Sequence, residues 1–463
     1  MRILLLCLFM VASSLVQSQT DLGVLTLEEY LGWVKKYHPV AKQADLRITE
    51  AQAILLKARG AFDPKIEIDW DNKEFDNKDY YNILNSSFKV PTWFGIELMA
   101  GFERNSGQFL NPQNNVPENG LYKAGISVPL GQGLFIDKRM AGLRKAKIVQ
   151  DLNEAERQIE VNNVLYEASL AYFDWFVAFK EVELFDNALE QAQIRLNGIR
   201  RRASTGDLPG IDTLEAGIIQ KNRALSLEKS KLKLIKKRLE LSNYLWIDNN
   251  LPVELNSDIN PQELNTSDID DVLQTNLIVL QDYNLNEHPK LRSLNLKIDK
   301  LEVERRLNAE MLKPQLDLKY NFINENVSNI DGYDIGEYTF GVQFKLPLFL
   351  RKERGNLNLT KAYIQQAEYD LEFTNTQLDN KISSVENEIL SYKRQVAATL
   401  DIAQDYQSLL EAEERKFSFG ESSVFLVNSR EVKYIESQLK YIDTYRTLLS
   451  SKAKLFNVLA LEL

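Results

Sequence analysis

Two stretches lying 250 positions apart in this chain follow one pattern. One opens at His38-Pro39 and runs HPVAKQADLRITEAQAILLKARGAFDPKIEID. The other opens at His288-Pro289 and runs HPKLRSLNLKIDKLEVERRLNAEMLKPQLDLK. In each, a helical pattern stops at a proline, Pro64 or Pro314, and gives way to strict alternation. A repeat this long exceeds the roughly 20–50 residues of a solenoid unit. It predicts a duplicated half-molecule of long helices and a few strands.

The first residues bear on compartment. Arg2 precedes ILLLCLFMVA, and small residues follow at Val16-Gln17-Ser18. This is the layout of a cleavable secretory leader, expected over residues 1–18. The apolar run is too short to serve as a membrane-spanning anchor, and no later run reaches about 18 apolar residues. Cys7 is the only cysteine and lies in the expected leader. The expected mature chain therefore lacks disulfides, thiolate metal sites and a thiol nucleophile. Its formal charge of −10 becomes more negative when Arg2 is removed, which argues against nucleic acid as a partner.

Helical periodicity dominates the rest. Val161, Val164, Ala168, Ala171, Trp175 and Ala178 step by three and four; Leu371, Leu378, Ile382, Val385, Ile389, Tyr392 and Val396 do the same after a first step of seven. Sustained spacing of this kind predicts helices packed lengthwise in coiled-coil fashion. Sixty-odd helical residues would reach roughly 90–100 Å. Each helix is interrupted once by glycine, at Gly206 and at Gly420, 214 positions apart, and the pattern then resumes. Glycine supplies the left-handed conformation that ends a helix. Two helical hairpins with matched tips are expected.

The strands are few. Ile66, Ile68 and Trp70 alternate with acids; Phe94 to Phe102, Tyr122 to Val128, Leu316 to Tyr320 and Phe340 to Leu346 alternate similarly. Strands are expected near 65–72, 95–104, 120–129, 315–323 and 338–347, with an extra segment near 82–90 completing an even count of six. Such alternation suits a membrane β-barrel, and it suits one face of a soluble sheet equally well.

No catalytic motif stands out, and no cofactor or metal site is expected. His38 and His288, the only histidines, occupy equivalent positions before prolines, which points to a structural role rather than metal binding. The Tyr172-Phe173 and Trp175-Phe176 pairs read as helix packing. The polar stretch 248–271 reads as surface structure joining two repeats, 19–247 and 272–463.

Together these features resemble the TolC-like outer membrane efflux protein family. GISVPL at 125–130 leads through GLF at 133–135 into RMAGLRKA at 139–146, and GVQFKLPLF at 341–349 runs into RGNL at 354–357; both look like the family's strand-to-helix transition. GDLPGIDTLEA at 206–216 looks like its tip turn. The resemblance implies a mainly α protein with a membrane β-barrel. Duplicated helical hairpins would form a trimeric α-barrel continuous with a trimeric β-barrel. It further implies a passive export duct in the outer membrane, working with a periplasmic adaptor and, through it, an inner-membrane pump. The alternative is an adaptor-like or structural coiled-coil protein of the cell envelope.

The sequence departs from the family pattern in its first strand block, which is longer than the second and casts doubt on four strands per protomer. The tips Thr205, Gly206, Asp207, Phe419, Gly420, Glu421, Ser422 and Ser423 are the expected adaptor-docking residues. Asp212 and Glu215, three apart on one helical face, are expected at a pore constriction. Their equivalents in the second repeat are Leu426 and Ser429, so an acidic ring would come from the first repeat alone.

Overall fold

The computed structural model describes residues 23–275, 283–326 and 336–463. The expected leader and most of the loop between the last two large strands lie outside the described residues. In chain order, β1 (Val24–Leu25), α1 (Leu27–Tyr37) and α2 (Pro39–Arg59) lead into β2 (Lys65–Phe75), β3 (Lys78–Pro91), β4 (Glu97–Ser106) and β5 (Leu121–Pro129). Then come α3 (Lys138–Ser204) and α4 (Gly210–Ser242). A connecting region holds β6 (Trp246–Ile247), β7 (Leu251–Pro252), β8 (Asn260–Pro261) and α5 (Thr266–Val272). The second set is α6 (Pro289–Glu310), β9 (Gln315–Asn324), β10 (Tyr338–Lys345), α7 (Arg351–Ser418) and α8 (Val424–Val458).

The two histidines set equivalent helix junctions. A residue before proline is pushed to extended backbone, so helical geometry breaks at His38 and His288. Each imidazole then satisfies a free amide of the helix that follows. Nδ1 of His38 accepts from the Val40 N–H at 3.3 Å, and Nδ1 of His288 accepts from the Lys290 N–H at 3.0 Å. The structural role expected for both is what the geometry shows.

Six strands form one antiparallel sheet in the order β10-β9-β5-β4-β3-β2. The extra segment expected near 82–90 is the body of β3. Its tight connection to β2 is a two-residue turn at Asp76 and Asn77, both at positive φ, as the type I′ hairpin requires. The second repeat supplies only β9 and β10, and β9 inserts its edge against β5 of the first.

The register sorts the side chains by face. Ile68, Ser86, Phe102, Tyr122 and their neighbours share one side, as do Ile126, Tyr320 and Phe340 in the paired strands. The other side carries Glu67, Glu103, Lys123, Lys319 and Thr339, with ion pairs Lys89–Glu67 and Lys123–Glu103 crossing between strands. Gly125 lies on this polar side, where a Cβ would fall 2.0 Å from the Tyr320 carbonyl oxygen. Only glycine fits there, because the neighbouring backbone closes over that side.

The described residues pack as two units, each drawing on both repeats. One comprises the residues up to Lys42, Glu160–Tyr283 and Asn380–Leu463; the other comprises Gln43–Ile159 and Asn284–Asp379. The first has its core around Tyr172, Phe173 and Trp175 of α3, all fully buried against Tyr30, Leu31 and Val34 of α1 and Phe456 of α8. The Tyr172 hydroxyl donates to the Leu25 carbonyl at 2.6 Å, and burial pushes its pKa up. The stretch 248–271 is less superficial than expected: Leu255, Leu264 and Ile269 enter this core. The second unit contains the six-stranded sheet and a small core of Ile136, Met140, Ala141 and Leu307.

Candidate functional site

Both hairpin tips are built by the same backbone device. At the end of α3, Asp207 N–H donates to the Arg202 carbonyl at 2.9 Å and Gly206 N–H to Ala203 at 3.2 Å. At the end of α7, Glu421 N–H donates to Lys416 at 2.9 Å and Gly420 N–H to Phe417 at 3.1 Å. This pair of bonds is the Schellman closure, and it needs a left-handed residue between its arms. Gly206 and Gly420 supply it, at φ +85° and +81°. A Cβ built on either meets nothing within 4 Å, so the space is open and only the backbone conformation favours glycine.

The tips differ where the returning helices begin. Ser423 caps α8 by accepting from the Leu426 N–H at 3.3 Å. Pro209 holds the equivalent place before α4 and offers no side-chain cap. Thr205, Asp207, Glu421 and Ser423 are exposed, and Phe419 is 80% exposed. Thr205 Oγ1 donates to Asp207 Oδ2 at 2.8 Å, while half-buried Ser422 donates to Glu413 at 2.5 Å. Arg202 stacks on the Phe417 ring at 5.5 Å, which brings the two tips together.

Asp212 falls in the first turn of α4, where a carboxylate complements the positive helix end. Asp212 and Glu215 are half-buried and form no ion pair among the described residues. Glu215 lies beside Ile218 and, across from α8, Phe425 and Asn428.

A charged group above the tips was not anticipated. Glu431 of α8 is only 3% exposed and lies between two arginines: Arg195 of α3 at 3.3 Å and Arg223 of α4 at 3.0 Å. Arg195 also reaches Glu414 of α7 at 2.6 Å, so one network ties four helices. The signal was present in the register. Arg223 stands in the buried stripe Ala216, Ile219, Leu227, and Glu431 stands at the same step in Val424, Val427, Ile435. A charge in a buried apolar stripe needs a partner. Comparison of the two repeats hid it, because Gly217 and Ser437 occupy the positions equivalent to Glu431 and Arg223.

Two further surfaces lack partners among the described residues. Along α4, Ile211, Leu214, Ile218, Leu225, Leu232, Ile235 and Leu239 form an exposed stripe at heptad spacing. In the sheet, β2 and β10 each present an outer edge with no strand beside it among the described residues. Among the described residues no helix is long and apolar enough to cross a membrane, and no acid, histidine and cysteine group could hold a metal ion.

Residues 281–460 match the family model described as outer membrane efflux protein. No curated protein matches the chain's sequence. Solved structures share its fold. The CmeC outer membrane channel of Campylobacter jejuni superposes with a TM-score of 0.63 at 15% identity, covering 94% of this chain and 85% of that one. The outer membrane protein VceC of Vibrio cholerae gives 0.62 at 13% identity, with 94% and 96% covered. The open-state MtrE channel of Neisseria gonorrhoeae gives 0.63 at 12% identity, with 94% and 88% covered. The family match thus falls on the second repeat, and over 94% of its length the chain shares the fold of these solved outer membrane channel structures.

Proposed function

We propose that this chain is one protomer of an outer-membrane export duct, a passive conduit rather than an enzyme. Three copies close one barrel, and the helical hairpins stand in the periplasm. A periplasmic adaptor docks at the tips and links the duct to an inner-membrane pump. The chain reaches the outer membrane by way of a leader cleaved after about residue 18. Two structural repeats, 19–247 and 272–463, are joined by the segment 248–271.

The observation that carries this reading is the sheet. One face is mainly apolar and aromatic from Ile66 to Phe344, the other is mainly polar and carries cross-strand ion pairs, and both edges are open among the described residues. In lipid every backbone polar group needs a partner, so only closed barrels and helices survive there. A six-stranded sheet with two open edges meets that requirement when copies join edge to edge. The exposed heptad stripe of α4 supports the same reading, since it offers a helical seam to a second copy.

The test is direct. A detergent-extracted outer-membrane fraction should yield heat-resistant trimers that form conducting pores in planar bilayers. Monomers without conductance would sink the proposal. For the docking residues, Gly206→Asn with Gly420→Asn should leave insertion intact and abolish export, whereas the loop change Asn114→Trp should spare adaptor crosslinking. Normal export and crosslinking by the double glycine variant would reduce the tips to plain helix caps. For the constriction, Asp212→Asn with Glu215→Gln should weaken cation selectivity in bilayers without loss of trimers; unchanged selectivity would place both carboxylates away from the pore.

A further inference from the structure

The sheet has two unlike ends. β5 and β10 run parallel, so the loops that follow them emerge at one end, and the β3–β4 turn closes there too. All three connections expose large apolar side chains: Trp93 and Phe94 in the turn, Leu134 and Phe135 after β5, Leu348 and Phe349 after β10. Phe135 is 69% and Phe349 71% exposed. Cations stand over both rings, Lys313 at 4.6 Å from Phe135 and Arg351 at 5.1 Å from Phe349. The helices that begin immediately afterwards are basic. Residues 138–147 hold five lysines and arginines and no acid, and Arg351, Lys352 and Arg354 open α7 around a single Glu353.

Helix stability does not account for this charge. The positive end of the helix dipole disfavours cations in a first turn. Nor does internal pairing: Lys138, Arg144, Lys352 and Arg354 are exposed and make no ion pair among the described residues. The arrangement recurs in both repeats and continues the apolar face of the sheet.

We propose that this collar grips the anionic phospholipid headgroups of the membrane leaflet on the helical side of the barrel. The exposed Phe and Leu side chains enter the acyl boundary while Lys138, Arg144, Lys352 and Arg354 meet the phosphates. An aromatic girdle is expected at either rim of a membrane barrel; the added unpaired cations give this rim a preference for negative lipid. The inference rests on the outer-membrane reading above, and the pairing of exposed apolar side chains with unpaired cations beside the sheet's apolar face identifies the occupant as anionic lipid.

The experiment reconstitutes the full protein into phosphatidylcholine vesicles and into phosphatidylcholine vesicles doped with phosphatidylglycerol. Insertion is measured by conductance, and retained lipid by native mass spectrometry. The protein should insert in both and retain phosphatidylglycerol above its bulk share. Lys138→Gln, Arg144→Gln, Lys352→Gln and Arg354→Gln together should erase the enrichment, by roughly fivefold for each cation removed. Raising salt should weaken it in the wild type. The charge-preserving pair Arg144→Lys and Arg354→Lys should keep it.

Insertion without enrichment, or enrichment surviving in the fourfold variant, overturns the collar and leaves the duct standing. Failure to insert in either vesicle overturns both readings. Phe135→Ser with Phe349→Ser should retain trimers but lose bound lipid. Loss of trimers instead would mean that these rings are buried between copies, which overturns the assignment.

Discussion

α4 and α8 are the returning arms of the two hairpins and begin 214 positions apart, yet they use their apolar residues differently. α8 turns Leu448, Leu449, Ala453, Leu455 and Phe456 into the cores of its own chain. α4 buries only Ala216, Ile219, Leu227, Ser230 and Leu241, and leaves its heptad stripe in the open. Equivalent helices of a duplicated chain have thus diverged, one toward internal packing and one toward an unoccupied seam. The lesson is that a heptad pattern states that a helix will be covered without stating by what.

The largest effect should come from the point where the two arms share a charge. Glu431→Ala leaves Arg223 buried without its carboxylate and Arg195 with Glu414 alone, and removing one member of such a buried group costs about 3–5 kcal/mol. Urea unfolding of the detergent-solubilised protein measures it. Replacing all three residues by leucine should recover most of the loss, because an apolar substitute leaves no charge stranded. A Glu431→Ala variant as stable as the parent would show that the network contributes nothing to holding the arms.

Next in size is a matched truncation. Leu448→Ala in α8, where the side chain is 1% exposed, should cost about 2–5 kcal/mol in unfolding. Leu232→Ala in α4, 54% exposed, should shift the monomer's stability by less than about 0.5 kcal/mol. If the proposed trimer packs on this stripe, the same change should lower its dissociation temperature. Equal sensitivity of the two positions in the monomer would dissolve the contrast between the arms.

Asp174 of α3 connects to both arms, to Lys237 of α4 at 2.9 Å and to Arg446 of α8. Burial pushes its carboxyl up, but the hydrogen bonds from Arg446 and Lys237 prevail and hold its pKa below the ordinary value. The unfolded chain therefore takes up this proton first. The stability it gives is present above an unfolded pKa of about 3.9 and is lost as pH falls through the lower folded value. Asp174→Asn should flatten the acid limb of a stability-against-pH curve below about pH 4. An unchanged limb would show that the carboxylate does not join the arms in solution.

The tips give the smallest effects. Ser423→Ala should cost about 1 kcal/mol through the lost cap of α8, and the α4 side has no equivalent to lose because Pro209 stands there. Gly206→Asn and Gly420→Asn should each cost less than about 1 kcal/mol, since asparagine tolerates the left-handed region and the surrounding space is open. Thermal unfolding of the single variants would show whether the two turns are as alike energetically as they are in geometry.

Much of this was legible in residues alone. The breaks at His38 and His288, the uninterrupted run of α3, the glycine turns and five of the six strands followed from spacing and turn chemistry. The sixth, β3, was legible only as a possible strand, because Asn82, Asn85, Ser86 and Ser87 dilute its alternation. Asp76-Asn77, a two-residue turn between alternating runs, was its clearest signal. The Glu431 network escaped for another reason: among many exposed acids, only knowledge of which stripe is buried singles one out.

What the sequence determined by itself is local. Proline removes a donor and fixes its neighbour's backbone, glycine permits the left-handed cap, and alternation assigns side chains to faces; each acts over a few residues and needs no distant partner. What only the tertiary structure decided is pairing across long separations. It joined β9 to β5, set Glu431 between arginines from two other helices, and left the α4 stripe uncovered while filling that of α8. Those choices depend on closing loops of a hundred residues or more and on the summed packing of whole faces, and no short window of residues contains that sum.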